Sequence, residues 1–135
     1  MLLQNWPSNS MPGLFFISKT VALTIHRQQI ERFGGTQGIR DETLLESALG
    51  AAQQTWHYNG DIFQTAAQYC YSLANNHPFL DGNKRAAAAC MLVFLAANNK
   101  QPAMDNTQLY EWVVNVATRQ LSRDDLADLL KQHCK

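Results

Sequence analysis

Residues 77–97 read His77-Pro78-Phe79-Leu80-Asp81-Gly82-Asn83-Lys84-Arg85, followed by the uncharged run AAAACMLVFLAA from Ala86 to Ala97. The run predicts a helix from about Asn83 or Lys84 to about Asn98. It is apolar on every side, the pattern of a helix buried all round at the centre of a bundle. Pro78 disfavours α conformation at His77, so the preceding helix ends at or just before that histidine.

Working outward, a helical period runs back from Pro78 through Ala74, Leu73, Cys70, Ala67, Ala66 and Phe63 to Ile62. Between Ala51 and Asp61 the periodicity is unclear. Asn59-Gly60 is a type I′ turn signal there, so the segment reads as a small hairpin flap or as a plain loop. Asp41 is a good N-cap for a short helix bearing Leu44, Leu45, Ala48 and Leu49. Ser18 caps a helix to about Phe33 that Gly34-Gly35 stops, and Gly34 to Arg40 forms a glycine-bearing loop. Leu14 to Ile17 has the character of a short edge strand. Downstream, Asp105 to Thr107 cap a helix with Leu109, Trp112, Val113 and Val116 inside, and Ser122 caps a last one with Leu126, Leu129 and Leu130. The fold class is mainly α, a single-domain bundle over residues 14–135 behind an irregular tail at 1–13.

Composition sets the outer bounds. The 135 residues hold 46% hydrophobic and 16% charged side chains, with eleven basic against eleven acidic. That suits one globular domain. Zero net charge argues against a protein built to hold nucleic acid. Cys70, Cys90 and Cys134 lack metal-site or disulfide spacing, and the first two read as buried thiols. The longest apolar run is too short to cross a bilayer and the N-terminus has no signal-peptide pattern, so the expected location is cytoplasmic, away from membranes.

The charges carry more than their sum. From Ile62 to Asn99 only Asp81, Lys84 and Arg85 are charged, all at the mouth of the apolar helix. A helix N-terminus presents free N–H groups and the positive end of the dipole. Lys84 and Arg85 oppose that dipole unless an anion stands in front of them. Gly82 permits close backbone approach, Asn83 adds a side-chain amide, and the whole reads as a phosphate site. Asp81 is suited to hold a magnesium ion bridging phosphate oxygens. His77 is suited to take a proton from an attacking hydroxyl. Phe79 reads as a plug packing the loop onto the core. Taken singly, a histidine before proline is often only a helix cap, an Asp-Gly-Asn run only a turn, and Lys-Arg only a solvated pair. Together, ahead of a charge-free helix, they point to transfer from a nucleoside triphosphate.

HPFLDGNKR resembles the signature of the Fic/Doc (Fido) family at every fixed position, from His77 and Pro78 through Phe79 to Arg85. The segments ERFGG, GIRD and LLESAL between Glu31 and Leu49, and Asn98-Asn99-Lys100, resemble its death-on-curing (Doc) branch. The resemblance implies the Fido bundle, with a small β-hairpin flap before the motif helix. It implies ATP and Mg2+ as co-substrate and metal. His77 would be the base, Asp81 the metal carboxylate, Gly82 and Asn83 the anion nest, and Arg85 the grip on a terminal phosphate. Position 84 is usually glycine in adenylyl-transferring members and lysine in Doc-type toxins. Lys84 therefore implies γ-phosphoryl transfer to a Ser/Thr hydroxyl of a target protein in translation. Gly82 agrees with the adenylylating form, so adenylyl transfer stays open, as does a non-catalytic partner-binding module. No self-inhibitory (S/T)xxxE(G/N) run occurs: Thr107 and Glu111 have the spacing, but Trp112 follows as a core residue. Restraint is then expected from a separate Phd-like antitoxin chain. Thr55, Trp56 and Tyr58 either dock a target backbone by strand addition or only pack a loop.

Overall fold

A computed structural model describes residues 14–135; the tail assigned to 1–13 lies outside the described residues. Six helices follow in order: α1 Lys19–Phe33, α2 Glu42–Asn59, α3 Ile62–Asn76, α4 Asn83–Ala97, α5 Asn106–Ala117 and α6 Arg123–His133. Ser18, Asp41, Asp105 and Ser122 cap α1, α2, α5 and α6 through their side chains, as their positions predict, and Asp61 caps α3. A good side-chain cap contributes about 1 kcal/mol. The mainly α class stands.

The hairpin flap does not. Ala51 to Asn59 is the second half of α2, and Gly60 in the left-handed conformation (φ 63°) closes that helix by donating its N–H to the Trp56 carbonyl. The Asn-Gly pair marks a helix stop, because a glycine that accepts positive φ serves a C-cap as well as a type I′ turn. Thr55 is buried within the helix and Trp56 and Tyr58 are helical, so none offers an extended edge to a target strand. Nor is Leu14 to Ile17 a strand. Its backbone is held by side chains: Phe15 exchanges hydrogen bonds with the Asn98 amide (2.8 and 2.9 Å), and Ile17 N–H donates to the buried Tyr69 hydroxyl at 2.9 Å. Among the described residues, β pairing is limited to the isolated bridges Ile39–Phe79 and Pro102–Cys134.

The central helix is α3, which packs against α2, α4, α5 and α6. Its Ala66, Ala67, Tyr69, Cys70, Leu73 and Ala74 are fully enclosed. Helix α4 was expected in that place. It buries Ala86, Ala87, Cys90, Met91, Phe94 and Leu95, but Ala88, Ala89, Leu92 and Val93 are only partly covered. An all-apolar helix needs no all-round protein cover when one flank forms the floor of a cleft. Cys70 and Cys90 are buried as read, and burial pushes both thiols up to about 12. No helix among the described residues is long and apolar enough to cross a membrane.

Candidate active site

The partly open flank of α4 faces a cleft of about 900 Å3. Ala88, Ala89 and Leu92 form its floor; α1 contributes Gln29, Arg32 and Phe33 as one wall, and α5 contributes Leu109, Tyr110 and Val113 as the other. His77, Asp81, Gly82, Asn83, Lys84 and Arg85 line its charged end. The structure thus brings every candidate site residue except Pro78 and Phe79 to one cavity. Those two are buried behind it.

The entry to α4 differs from the entries to the other helices. Its N-cap is Gly82, left-handed at φ 73°, with no side-chain cap. The first-turn N–H groups therefore lack the carboxylate or hydroxyl that terminates the other five helices, and they are available to an anion. A side chain at position 82 would be strained by the positive φ, and its Cβ would stand 2.9 Å from Ile30 Cδ1, which would have to shift.

The loop before it is pinned from three directions. Asn83 exchanges hydrogen bonds with the Phe79 backbone, accepting from N–H at 2.9 Å and donating to C=O at 3.0 Å. The Asn83 amide is thereby spent on the loop, leaving its backbone N–H as what this residue offers the cleft. Phe79 turns inward and stacks on the buried His26 ring, 3.8 Å between centroids and 5° from parallel. His26 Nε2 donates to the Asp81 carbonyl at 2.8 Å. A carbonyl only accepts, so the proton sits on Nε2. Burial holds the His26 pKa below its ordinary value.

The Asp81 carboxylate is exposed and oriented by two backbone donors, Thr36 N–H at 3.1 Å on Oδ2 and Gly82 N–H at 2.8 Å on Oδ1. These bonds, Thr36 first, hold its pKa below the usual carboxylate value. Gly35 makes the approach possible, since a Cβ there would stand 2.7 Å from Asp81 Oδ2. Arg85 crosses to the end of α1 and donates to the carbonyls of Gly34 (2.8 Å) and Gln29 (3.4 Å). The Lys84 side chain is exposed and makes no ion pair or hydrogen bond among the described residues. A lone cation with no protein partner, set where it opposes the dipole, is the charge most available to a ligand.

His77 lies exposed at the end of α3 with φ 51° and ψ 56°. A non-glycine residue in that region, held before a proline, stores of order 1–3 kcal/mol. No group of three or more metal-ligating side chains occurs among the described residues. A lone exposed carboxylate beside an anion slot fits a magnesium ion that arrives with phosphates better than a resident metal, because Mg2+ is usually held by one or two carboxylates and the substrate.

Sequence reasoning missed His26, Thr36 and Arg40. His26 was detectable as the one polar residue on the buried face of α1, among Ala22, Ile25 and Ile30. Thr36 acts through its backbone and leaves no residue-type signal. Arg40 looked like an ordinary loop cation.

This fold and site define a family. A family model for the Fic/DOC family matches residues 16–95, and the chain belongs to that family. Its relatives include the protein named "Protein kinase doc" of Escherichia phage P1, 33% identical over 118 residues, covering 86% of this chain and 93% of the relative. Another is "Toxin Doc" of Mycolicibacterium smegmatis (strain ATCC 700084 / mc(2)155), 40% identical over 101 residues, covering 70% of this chain and 77% of the relative.

Proposed function

We propose that this chain is a Doc-type toxin that moves the γ-phosphoryl group of ATP to a Ser/Thr hydroxyl of a target protein in translation. The observation that carries the reading is the uncapped N-terminus of α4, with unpartnered Lys84 on it and His77 on the same cleft. The relatives named as a kinase and as a toxin support it.

The α4 amides and Lys84 hold phosphate oxygens, and Arg85 stands behind them for the terminal group. His77 takes the proton of the attacking hydroxyl. The hydroxyl oxygen bonds to Pγ as the bond from Pγ to the β-bridging oxygen breaks, and ADP leaves. Asp81 would hold Mg2+ brought with the nucleotide, which would supply neutralisation of phosphate charge. With so little covalent chemistry for the protein to do, positioning and charge account for most of the rate.

Restraint falls to a separate Phd-like antitoxin. The apolar end of the cleft, at Leu92, Leu109 and Val113, has the character of a seat for an amphipathic helix.

Incubating the chain and a cell lysate with ATP labelled separately at the α and γ positions tests this reading. Label from the γ position alone on one protein is expected. Label from the α position would instead assign adenylyl transfer. Growth inhibition that survives His77→Ala at equal expression would remove the enzymatic reading altogether.

A further inference from the structure

The carbonyls of Asn76, His77 and Pro78 are consecutive, and all three end on residues 40 and 41. Arg40 Nη2 donates to Asn76 O at 2.9 Å and Arg40 Nε to His77 O at 2.6 Å. The N–H groups of Arg40 and Asp41 donate to Pro78 O at 2.7 and 3.0 Å. Arg40 has no carboxylate partner among the described residues, so its charge is directed at the negative end of the α3 dipole.

The need for such a grip comes from the backbone. At α1, α2, α4 and α5 the cap residue's own N–H closes the last turn. At α3, as at α6, it does not: the His77 N–H makes no such bond, and at α3 the cap is in addition left-handed. His77 is left-handed and precedes a proline, two conditions that each favour its leaving this conformation. A charged, forked donor on its carbonyl opposes that, since a guanidinium bonds a carbonyl more strongly than a neutral group does.

We propose that Arg40 is a positioning residue for His77: its guanidinium, bonded to the Asn76 and His77 carbonyls, fixes the left-handed turn that aims the imidazole into the cleft. This rests on the reading of His77 as the base. Arg40 does not line the cleft, so its loss should act on the chemical step and leave ATP binding alone.

Two measurements test it. In the unmodified chain, NMR should show a slowly exchanging Arg40 Nε–H with a through-hydrogen-bond coupling to the His77 carbonyl carbon. In Arg40→Gln, the His77 backbone shifts should leave the left-handed range. There kcat for phosphoryl transfer should fall about tenfold or more, because small misplacements of a catalytic group are costly, while KM for ATP stays within about twofold. Arg40→Lys, which keeps one charged donor, should recover part of kcat and decides the matter if the glutamine variant does not fold. The proposal is overturned by a missing coupling in the unmodified chain, by unchanged His77 shifts, by kcat within about twofold of the original, or by a loss carried by KM. An unmodified chain that transfers no phosphoryl group would remove the proposed function, and the NMR arm would still decide whether Arg40 holds His77.

Discussion

The His26 imidazole lies flat on the Phe79 ring while its Nε2 proton is bonded to the carbonyl of Asp81, two residues further along the motif. One buried side chain of α1 therefore holds the loop at two points, the Phe79 ring and the Asp81 carbonyl. His26→Ala removes a stacked ring and leaves a carbonyl without its donor. The expected loss is about 2–4 kcal/mol of unfolding free energy, read from urea titrations. His26→Phe keeps the stack and loses only the hydrogen bond, so it should cost less than His26→Ala. Equal losses would show that the stack contributes nothing.

Lys84 should separate stability from binding. Its charge opposes the α4 dipole and has no protein partner, so Lys84→Glu is expected to raise stability by about 0.3–1 kcal/mol. The same change should weaken ATP binding in calorimetry by about tenfold or more, since a like charge then faces the phosphates. A parallel change of both quantities would contradict the role given to Lys84.

Gly35 tests how Asp81 is set. Its φ of 122° lies in the range glycine alone adopts readily, and any side chain meets the carboxylate. Gly35→Ala should displace Asp81 and reduce magnesium-dependent ATP binding, with a stability cost of about 1 kcal/mol or more from backbone strain. Gly34→Ala is the control. Position 34 also has positive φ but open space beyond it, so it should cost stability without weakening the metal dependence.

Thiol chemistry gives the pH prediction. Cys70 and Cys90 are raised from 9.0 to about 12 by burial, so the folded chain keeps protons there that the unfolded chain gives up. Stability from this source is complete below about pH 9 and falls as pH rises toward 12. Unfolding measured from pH 8 to 10.5 should show the decline, and Cys70→Ala with Cys90→Ala should flatten it. At pH 8 a disulfide reagent should modify Cys134, which is partly exposed, well before the two buried thiols.

Helix ends were legible wherever a short polar side chain stands before an apolar period, as at Ser18, Asp41, Asp105 and Ser122. Asn59-Gly60 misled because hairpin turns and helix caps both use a left-handed glycine, and only the packing of α2 on α3 selects between them. Helix α4 misled for a related reason. Hydropathy registers what a flank avoids, and a ligand cleft floored by alanines avoids charge as a core does. The charged end of the site was readable because Asp81, Lys84 and Arg85 interrupt an apolar region. Its supports were harder to read. Thr36 works through a peptide N–H, Arg40 stands far from the motif in sequence, and His26 shows only as a polar residue on the buried face of α1, with nothing in the spacing to tie it to the motif.

The fastening of Gly34 to Asp41 onto the motif loop bears on transplantation. Thr36 N–H on Asp81, Leu80 N–H on the Gly38 carbonyl and Arg40 on Asn76 and His77 join two stretches some forty residues apart in the chain. The nine residues from His77 to Arg85, grafted alone between two helices of another scaffold, would bring the signature without the hydrogen bonds that hold its backbone. The geometry belongs to a pair, 26–41 with 77–85, and a designer or a recombination event that moves one half without the other moves a signature and leaves its supports behind.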